Sequence, residues 1–377
     1  MIYFDNAATT PILPEVIQVM SASMQATFGN PSSTHVLGRT AKSTVENARK
    51  NIAKHFHVSA SEIVFTAGGS EADNLVLYNA VTQLGVQTII SSPIEHHAIL
   101  HTLEYLHKTY GTAIHFVKIL NNGQVDLTHL NQLLSEDSSQ KMVSLMYVNN
   151  EIGTILDLKK VSNLCQQYQT YFHSDTVQGI GHFDIDLQQI PIDFIAASAH
   201  KFHGPKGVGF AFIRKGITFQ PLLHGGDQEH GLRAGTENVH SILGMEMALN
   251  IALADLENDQ KHISSLKNYF VNALQSAIPQ IAFNAESQNS VYNSYHILNV
   301  RFPEPIPMFL FKLDLKGIAA SGGSACQSGS QKGSHVLKEI LDETNSKNTS
   351  VRFSFSKFNN QAEVDEVIKN LLQILVK

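Results

Sequence analysis

Short apolar runs and helical patterns alternate along residues 63–213 of the chain. Runs rich in β-branched and aromatic residues predict seven strands, at Ile63–Thr66, Gln87–Ser91, Ala113–Val117, Met142–Val148, Tyr171–Ser174, Ile192–Ala197 and Val208–Ile213. Apolar residues at helical spacing fill most of the gaps, at Glu71–Leu84, His97–Tyr110, Leu127–Leu134 and Leu158–Tyr168. This order predicts a mostly parallel sheet covered by helices on both faces. The connection from Ala197 to Val208 is too short for a helix, so we expect one antiparallel strand there.

The pattern changes near residue 256. Helical spacing predicts further helices at Glu15–Ala26, Arg39–Phe56, Val239–Leu256 and Asp255–Leu274. Strands are predicted at Tyr295–Phe302 and Val351–Phe355, and the last helix has Asn360 as its cap, with Glu363 at its third position. The sequence therefore predicts an α/β fold. Its large domain, residues 13–255, holds a mostly parallel seven-stranded sheet flanked by helices, and a smaller α+β C-terminal domain comprises residues 1–12 and 256–377.

Composition narrows the class of protein. The chain has 377 residues, 43% hydrophobic and 16% charged, with a net charge of −6, which is typical of a globular protein without a general footprint for nucleic acid or membrane. No run approaches a membrane span, and the first residues lack the pattern of a signal peptide. Two cysteines suggest no disulfide framework and favour a cytoplasmic protein. The nineteen histidines show no HExxH or paired CxxC pattern, so we predict no metal site.

One glycine-containing turn has the pattern of a phosphate-binding cup. Residues 67–73 follow a predicted strand, include Gly68, Gly69 and Ser70, and open a predicted helix. Glycines let backbone N–H groups approach an anion, and the N-terminus of a helix favours negative charge. The alternative is a simple strand-to-helix turn capped by a serine, which is common.

Polar residues follow other predicted strands, where the ligands of α/β sheets gather. Asp175 could pair with a protonated ring nitrogen, and Gln178 could donate to a phenolate-type oxygen; a helix-capping Asp is the alternative. His96 and Asn150 lie in similar positions, where a structural histidine, the commoner case for a lone His, and an ordinary polar loop are the alternatives. Lys201 ends a buried strand, which is a poor place for an ammonium group unless it has a partner or a role. A lysine, an acid for a ring nitrogen and a phosphate cup together predict pyridoxal 5′-phosphate.

The two cysteines have different surroundings in the sequence. Cys165 lies at helical spacing with Val161, Leu164 and Tyr168, which indicates a core residue. Cys326 lies in a stretch of glycines, serines and other small polar residues at 321–330, which is too polar to bury a side chain. An exposed thiol is a hazard unless it is used. Cys326 is therefore the candidate reactive thiol.

From end to end the chain resembles the cysteine desulfurases, pyridoxal-phosphate enzymes of fold type I in the class-V aminotransferase family. The motifs that carry the resemblance are Asp5-Asn6-Ala7-Ala8-Thr9-Thr10-Pro11, Gly29-Asn30-Pro31-Ser32-Ser33, Gly69-Ser70-Glu71, Glu95-His96, Asn149-Asn150-Glu151-Ile152-Gly153, Asp175-Thr176-Val177-Gln178, His200-Lys201, Arg233-Ala234-Gly235-Thr236, Ser324-Ala325-Cys326 and Val351-Arg352-Phe353-Ser354. Ten matches in the family's order are far more specific than any one glycine pattern. The Ser-Ala-Cys loop places the chain closer to the group of desulfurases that has this loop.

The resemblance implies a role for each candidate. The implied cofactor-binding residues are Gly69, Ser70, His96, Asn150, Asp175, Gln178, Ser198, His200, Lys201 and Thr236. Among them Lys201 would form the Schiff base and remove the substrate α-proton, and His96 would stack on the ring and move protons. Thr236 would serve the cofactor of a neighbouring subunit, which implies a homodimer. Arg352, with Asn150, would bind the substrate, and its guanidinium suits a carboxylate; a solvated strand arginine is the alternative.

By the same resemblance the activity is conversion of L-cysteine to L-alanine, with the sulfur left as a persulfide on Cys326 in the small domain and passed to an acceptor protein. Acceptors for tRNA thiolation, thiamine or iron–sulfur cluster biosynthesis are implied. The alternatives are a selenocysteine lyase, another class-V transaminase, or a non-catalytic scaffold for sulfur transfer. The chain stops at Lys377, without the further tail by which some members meet an iron–sulfur scaffold. The stretches His200–Gly204 and Glu229–Arg233 are more similar to members that supply tRNA thiolation or thiamine.

Overall fold

A computed structural model describes residues 1–322 and 333–375. The strands in this part of the chain are β1 Ile2–Tyr3, β2 Ile63–Thr66, β3 Thr88–Ser91, β4 Ala113–Phe116, β5 Lys141–Ser144, β6 Tyr171–Asp175, β7 Phe194–Ser198, β8 Gly209–Ile213, β9 Ala282–Phe283, β10 Ile297–Arg301, β11 Ile318–Ala319 and β12 Ser350–Ser354. The α-helices are α1 Pro14–Ala26, α2 Val36–His55, α3 Gly69–Thr82, α4 His97–Tyr110, α5 Leu127–Ser135, α6 Leu158–Gln167, α7 Val239–Ala254, α8 Leu256–Ala277, α9 Phe309–Leu315, α10 His335–Ile340 and α11 Gln361–Leu375.

The seven predicted strands form one sheet, in the order β2-β8-β7-β6-β5-β3-β4. Strand β8 is antiparallel to both of its neighbours, and the other pairs are parallel. The predicted sheet and its antiparallel position are therefore confirmed. The predicted strand Met142–Val148 is wrong at its end, because β5 stops at Ser144. Beyond it the N–H groups of Leu145 and Tyr147 still bond to carbonyls of β6 and its end, so the chain continues as irregular extended backbone.

Alternate residues of the strands face two different apolar layers, as the period of a β-strand requires. Phe65 and Phe172 contribute to the layer formed with α1, α2, α5, α6 and α7. Val64 and Phe194 contribute to the layer formed with α3 and α4 on the opposite face. Helices thus cover both faces of the sheet. The polar residues Asp175 and Ser198 lie where the strands β6 and β7 end.

A separate apolar core lies outside the seven-stranded sheet. Phe4, Phe270, Phe353 and Phe355 are buried in it, with ring centroids 5.1–6.4 Å apart in the pairs that touch. It packs against an antiparallel sheet of order β12-β10-β9 and the parallel pair β1 and β11. We propose that the two cores correspond to the two predicted domains, 13–255 and 1–12 with 256–377.

The last helix begins with the predicted cap. The backbone N–H of Glu363 donates to Asn360 Oδ1, and the backbone N–H of Asn360 donates to a carboxylate oxygen of Glu363, both at 3.1 Å. This reciprocal pair satisfies donors that the first turn of a helix leaves open. The apolar side of α11 then packs on the small core through Val364, Val367 and Leu371.

Helices α7 and α8 follow each other with one residue between them. They meet at an angle of 71°. Within the described residues no single helix has the length and apolar character of a membrane span, although this bent pair meets the criterion when its two helices are counted together.

A buried ion pair ties α2 to a loop at residues 224–238. Both terminal nitrogens of Arg49 donate to Glu229, at 2.6 and 2.9 Å, and the two side chains are only 2–3% exposed. The backbone N–H of Phe65 in β2 donates to the same carboxylate at 2.8 Å. Glu229 and His230 both have positive φ angles, of 49° and 57°, which cost conformational energy in residues other than glycine. The ion pair therefore holds a strained turn in place.

We predict that Glu229→Ala lowers the free energy of unfolding by about 3 kcal/mol, because the Arg49 guanidinium would stay buried with only Glu46, at 3.2 Å, as its counter-charge. Denaturant unfolding followed by circular dichroism measures the change. Glu343→Ala is the control, because it breaks the exposed pair of Glu343 with Lys347 and should leave the unfolding midpoint unchanged. Equal effects of the two substitutions would contradict the prediction.

Candidate active site

Lys201 lies where β7 ends, in a short 3₁₀ turn at Ala199–Lys201. Its Nζ donates to the backbone carbonyls of Ala7 and Ala8, at 2.7 and 2.9 Å. The ammonium is therefore partnered, as its position at a buried strand end requires. Its partners come from the first ten residues of the chain, which no local pattern indicates.

The N-terminal segment is fixed to the backbone around Lys201. Both the N–H and the hydroxyl of Thr10 donate to the His200 carbonyl, and the N–H of His203 donates to the Thr10 hydroxyl. On its other side, Nε2 of His182 donates to the Lys201 carbonyl at 3.1 Å. The turn that carries Lys201 is thus held from two directions.

Asp175 is the last residue of β6 and is 6% exposed. One of its oxygens accepts the N–H of Val177 at 2.9 Å. Burial raises the pKa of the Asp175 carboxyl, while His96, that N–H and Lys201 act in the opposite direction. A cationic ring nitrogen would suit this carboxyl, because a positive charge beside it would stabilise the ionised form that burial disfavours. Gln178 lies one turn further on and donates one amide N–H to the Ala7 carbonyl at 2.8 Å.

His96 caps α4 with its own ring. Its Nδ1 accepts the backbone N–H of Ala98 at 3.1 Å. Burial lowers the pKa of His96, against the attraction of the nearby Asp175 carboxyl. A neutral His96 whose Nδ1 accepts a hydrogen bond carries its proton on Nε2, so its free edge can donate. The cap also fixes the ring beside Asp175 and Lys201, whose charges both act on it.

The predicted phosphate cup is the start of α3. Gly68 precedes the helix with φ of 151°, and no side chain caps it, so the capping serine of the alternative reading is absent here. A Cβ on Gly69 would lie 2.5 Å from a methyl group of Val177, so only glycine fits. Ser70 is exposed at the second position of the helix. The first N–H groups of a helix lack partners within it, so this turn offers donors to an anion.

Two further residues implied for the phosphate lie at the end of β7. Ser198 ends β7, and its Oγ would lie 3.3 Å from a Cβ placed on Gly68. His200 follows, with its pKa lowered to about 4 by burial and by the charges of Lys201 and Lys206. Thr236 is exposed, on a surface cavity of about 260 Å³ that Ala67 and Arg233 also line. The role of Thr236 at a neighbouring subunit stays a prediction.

Arg352 on β12 is 1% exposed, so its reading as a solvated arginine is wrong. One terminal nitrogen donates to the carbonyl of Asn150 and the other to the Asp5 carboxylate, both at 2.7 Å. Its Nε has no hydrogen-bond partner among the described residues. Asn150 therefore reaches Arg352 through its backbone carbonyl, and the role of the two residues in substrate binding stays a prediction.

Several contacts at the site were missed by the sequence reasoning. Asp5 is one, since it pairs with a residue 347 positions away. Ser334 donates to the Glu151 carboxylate, and His335 bonds to the Glu95 carbonyl at 2.9 Å. These two bonds fasten the start of α10 beside Asn150 and His96. No spacing rule indicates such pairs, and only the motifs that contain Asp5, Glu95 and Glu151 pointed to this region.

The structure describes only one of the two cysteines. Cys165 on α6 is 1% exposed and lies in the large core, as predicted, and burial raises the pKa of its thiol. Cys326 lies outside the described residues, so its predicted role is not tested by the contacts above.

Taken together, these residues fit a phosphorylated, ring-containing aldehyde. A side chain at Gly69 would clash with Val177, so the backbone of this turn stays accessible, and Asp175 is a buried carboxyl whose ionised form a cationic ring nitrogen would stabilise. Lys201 places an amine at the same edge of the sheet. This donor set is the one that pyridoxal 5′-phosphate needs.

Comparison with known proteins identifies the class. The model of the aminotransferase class-V family matches residues 2–367, and the chain belongs to that family. Enzymes of this family use pyridoxal 5′-phosphate. Within it the chain belongs with the cysteine desulfurases. It is 36% identical over 378 residues to the "Cysteine desulfurase IscS" of Dictyoglomus turgidum, covering 100% of this chain and 95% of that protein.

Solved structures agree with the fold. A structure described as a NifS-like protein superposes with a TM-score of 0.90 at 35% identity, over 99% of both chains. Another, described as SspA in complex with cysteine, gives a TM-score of 0.81 at 27% identity, over 96% of this chain and 100% of that one. The predicted family, the α/β fold of type I and the cofactor class are thereby confirmed.

We predict that Lys201→Ala abolishes the absorption band that the wild type develops with pyridoxal 5′-phosphate, because the amine that bonds to the aldehyde is gone. Lys206→Ala is the matched control, since Lys206 is exposed five residues further on and should leave the band unchanged. Ultraviolet–visible spectra after removal of unbound cofactor measure the band. A band that persists in Lys201→Ala would show that another amine is used.

Proposed function

We propose that the protein is a pyridoxal-phosphate-dependent cysteine desulfurase that converts L-cysteine to L-alanine and keeps the sulfur as a persulfide on Cys326. The observation that carries the proposal is the meeting of Lys201, Asp175 and the open start of α3 at one edge of the sheet. The similarity to desulfurases along the whole chain supports it. The similar structure that is described as a complex with cysteine supports the choice of substrate.

Each residue of the site would have its own role at the cofactor. When bound, pyridoxal 5′-phosphate supplies an electron sink to the α-carbon of the substrate. Asp175 would hold the ring nitrogen and Gln178 the ring oxygen through its second amide N–H. Gly69, Ser70, Ser198 and His200 would hold the phosphate. Lys201, once released, would take the α-proton on Nζ, and the Ala7 and Ala8 carbonyls that hold it now would orient the amine.

Arg352 would bind the substrate carboxylate. Its two terminal nitrogens already bond to Asn150 and Asp5, while Nε is buried and finds no partner in residues 1–322 and 333–375. A carboxylate that approaches along the Nε edge would satisfy this donor, and the substrate would compete with Asp5 for the nitrogen they share. Asp5 would then serve as the counter-charge of Arg352 when no substrate is bound.

The sulfur step uses Cys326. Its thiolate attacks the Sγ of the substrate, an S–S bond forms, and the Cβ–Sγ bond breaks with its electron pair going to the carbon skeleton. A proton then completes the methyl group of alanine, and we assign it to neutral His96, whose Nδ1 accepts the Ala98 N–H and whose own proton is on Nε2. One cysteine and one thiol give one alanine and one persulfide, so no outside oxidant or reductant is required.

The identity of the protein that accepts the sulfur is a separate part of the proposal. We assign the persulfide to a partner protein of tRNA thiolation or thiamine synthesis, on the similarity of His200–Gly204 and Glu229–Arg233 to such members. An iron–sulfur scaffold is the other outcome. A homodimer, with Thr236 serving the neighbouring cofactor, and a cytoplasmic location complete this proposal. Capture of persulfide-labelled proteins from native cells, with sulfur-labelled cysteine as the source, distinguishes the acceptors.

We predict that Cys326→Ala keeps the cofactor band but loses formation of alanine and protein-bound persulfide from L-cysteine, because the attacking thiol is absent. Cys165→Ala is the matched control. It should keep both activities, since its thiol is buried and its pKa is raised. Mass spectrometry of the persulfide and an assay for alanine measure the products. An unimpaired Cys326→Ala enzyme would remove the persulfide role and favour a transaminase or a lyase.

We predict that Arg352→Lys raises the KM for L-cysteine by about tenfold to a hundredfold, because charged hydrogen bonds to a carboxylate contribute about 1.5–3 kcal/mol and lysine cannot reproduce the fork. Arg301→Lys is the control, on the neighbouring strand β10, where Arg301 bonds to Asn284. Steady-state kinetics measure both variants. An unchanged KM in Arg352→Lys would assign the carboxylate to another residue.

A further inference from the structure

Two buried titratable side chains that the mechanism above does not use lie next to Asp175. Asp73 on α3 is 1% exposed and His173 on β6 is 0% exposed. Nε2 of His173 is 3.4 Å from Oδ1 of Asp73, and its Nδ1 is 2.9 Å from the hydroxyl of Ser144 on β5. The Asp73–His173 pair therefore links three elements that lead to the cofactor site.

The position of the pair relates it to the proposed cofactor contacts. His173 and Asp175 are two residues apart on β6, so their side chains point to the same face of the sheet. Asp73 is four residues after Gly69 on α3, so it lies one turn behind the phosphate cup on the same side of the helix. The pair thus shares a sheet face with the residue expected at the ring nitrogen and a helix side with the turn expected at the phosphate.

Three carboxyl groups are buried together here. Asp73, Glu95 and Asp175 are 1%, 1% and 6% exposed, and both Asp175 and Glu95 act electrostatically on Asp73. Three anions in such a site repel one another strongly, so some of these groups must keep a proton. Which groups do so depends on the donors and cations that each one faces.

Asp175 and Glu95 have better partners than Asp73. Asp175 accepts a backbone N–H and faces Lys201 and His96. Glu95 accepts the Ser92 hydroxyl at 2.6 Å and the Met146 N–H at 3.1 Å, and burial still raises its pKa to about 8.

Oδ1 of Asp73 and Nε2 of His173 both lack a hydrogen-bond partner among the described residues, although the two atoms are 3.4 Å apart. The carboxylates that act on Asp73 have the same sign as its own charge, and burial raises its pKa well above the usual range. Asp73 is therefore the carboxyl group of the three that has least to stabilise its ionised form.

We propose that Asp73 holds a proton directed at Nε2 of His173, and that this neutral pair positions Asp175 and leaves the negative charge of the carboxyl cluster on it. The proposal rests on the proposed function, because it takes Asp175 as the partner of the ring nitrogen. It makes Asp73 a positioning residue that acts through His173. In this arrangement His173 carries its own proton on Nδ1 and donates to Ser144.

The opposite arrangement differs by one proton. If Asp73 were ionised, His173 would carry its proton on Nε2 and accept from Ser144 on Nδ1. A second anion would then face Asp175 and compete for the proton at the ring nitrogen. The tautomer of His173 therefore reports the charge on Asp73.

The first test uses the wild-type holoenzyme alone. Nitrogen NMR of histidine-labelled protein at neutral pH should show His173 as the neutral Nδ1–H tautomer, and it should stay neutral on mild acidification because burial lowers its pKa to about 3. A proton on Nε2, or a charged ring at neutral pH, would overturn the proposal. Because it needs no variant, this measurement stands even where a substitution prevents folding.

The second test compares holoenzyme variants by the pH midpoint of the Lys201–cofactor absorption band. Asp73→Asn replaces one neutral side chain by another, so the proton affinity calculated from the midpoint should change by less than about twofold. If Asp73 were ionised, loss of a buried charge would shift it about tenfold or more. Asp193→Asn is the matched control. Asp193 accepts the backbone N–H of Phe172, the neighbour of His173 on β6, and its substitution should leave the midpoint unchanged.

The positioning role is tested by release of the cofactor. Asp73→Ala removes the contact with His173 and should release pyridoxal 5′-phosphate about tenfold faster, whereas Asp73→Asn should restore release to within about twofold of wild type. Wild-type release in Asp73→Ala, or a tenfold midpoint shift in Asp73→Asn, would overturn the proposal. These readouts need no turnover, so a protein that binds cofactor but fails to desulfurate cysteine still tests it. A wild type that forms no band would refute the proposed function instead, and the His173 tautomer would still decide where the proton lies.

Discussion

The ammonium of Lys201 sets the condition on which the site depends, because a cation at a buried strand end must have partners. Those partners are the carbonyls of Ala7 and Ala8. The segment that carries them has Phe4 buried in the small core and Leu13 buried in the large one. The lysine is therefore held by a piece of chain whose two ends are anchored in different cores, so the two cores must keep their relative positions for the amine to stay partnered.

The same segment supports the substrate side. Asp5, two residues before Ala7, pairs with Arg352 of β12, and the Ala7 carbonyl also accepts the Gln178 amide. Arg352 in turn reaches the Asn150 carbonyl beyond the end of β5. Residues proposed for the amine, the ring and the carboxylate are thus joined through a few backbone carbonyls. Carbonyl groups are present whatever the side chain, so this scaffold is set by the path of the chain more than by residue type.

Local signals explain what the sequence could predict. Strand and helix periods located the seven strands, and the Gly68–Gly69 turn and the lysine after a buried run indicated an anion and an amine at strand ends. The pairs Asp5–Arg352 and Asp73–His173 were beyond such signals, because their members lie 347 and 100 residues apart and share no period. The end of β5 was misplaced because residues 145–148 are apolar and extended yet lie outside the regular ladder. Sequence patterns report local geometry, while the partners of buried charges are decided by packing.

Burial also decides which groups of the site are charged. It lowers the pKa of His96, lowers that of His200 to about 4 and raises that of Glu95 to about 8, so at neutral pH these side chains are mainly neutral. Arg352 has Asp5 as its counter-charge, and the Lys201 amine has two carbonyl acceptors. These two side chains are also proposed to touch the substrate or the cofactor. A bound carboxylate would therefore compete mainly with Asp5 for Arg352, whereas a bound phosphate would meet neutral donors at Ser70, Ser198 and His200.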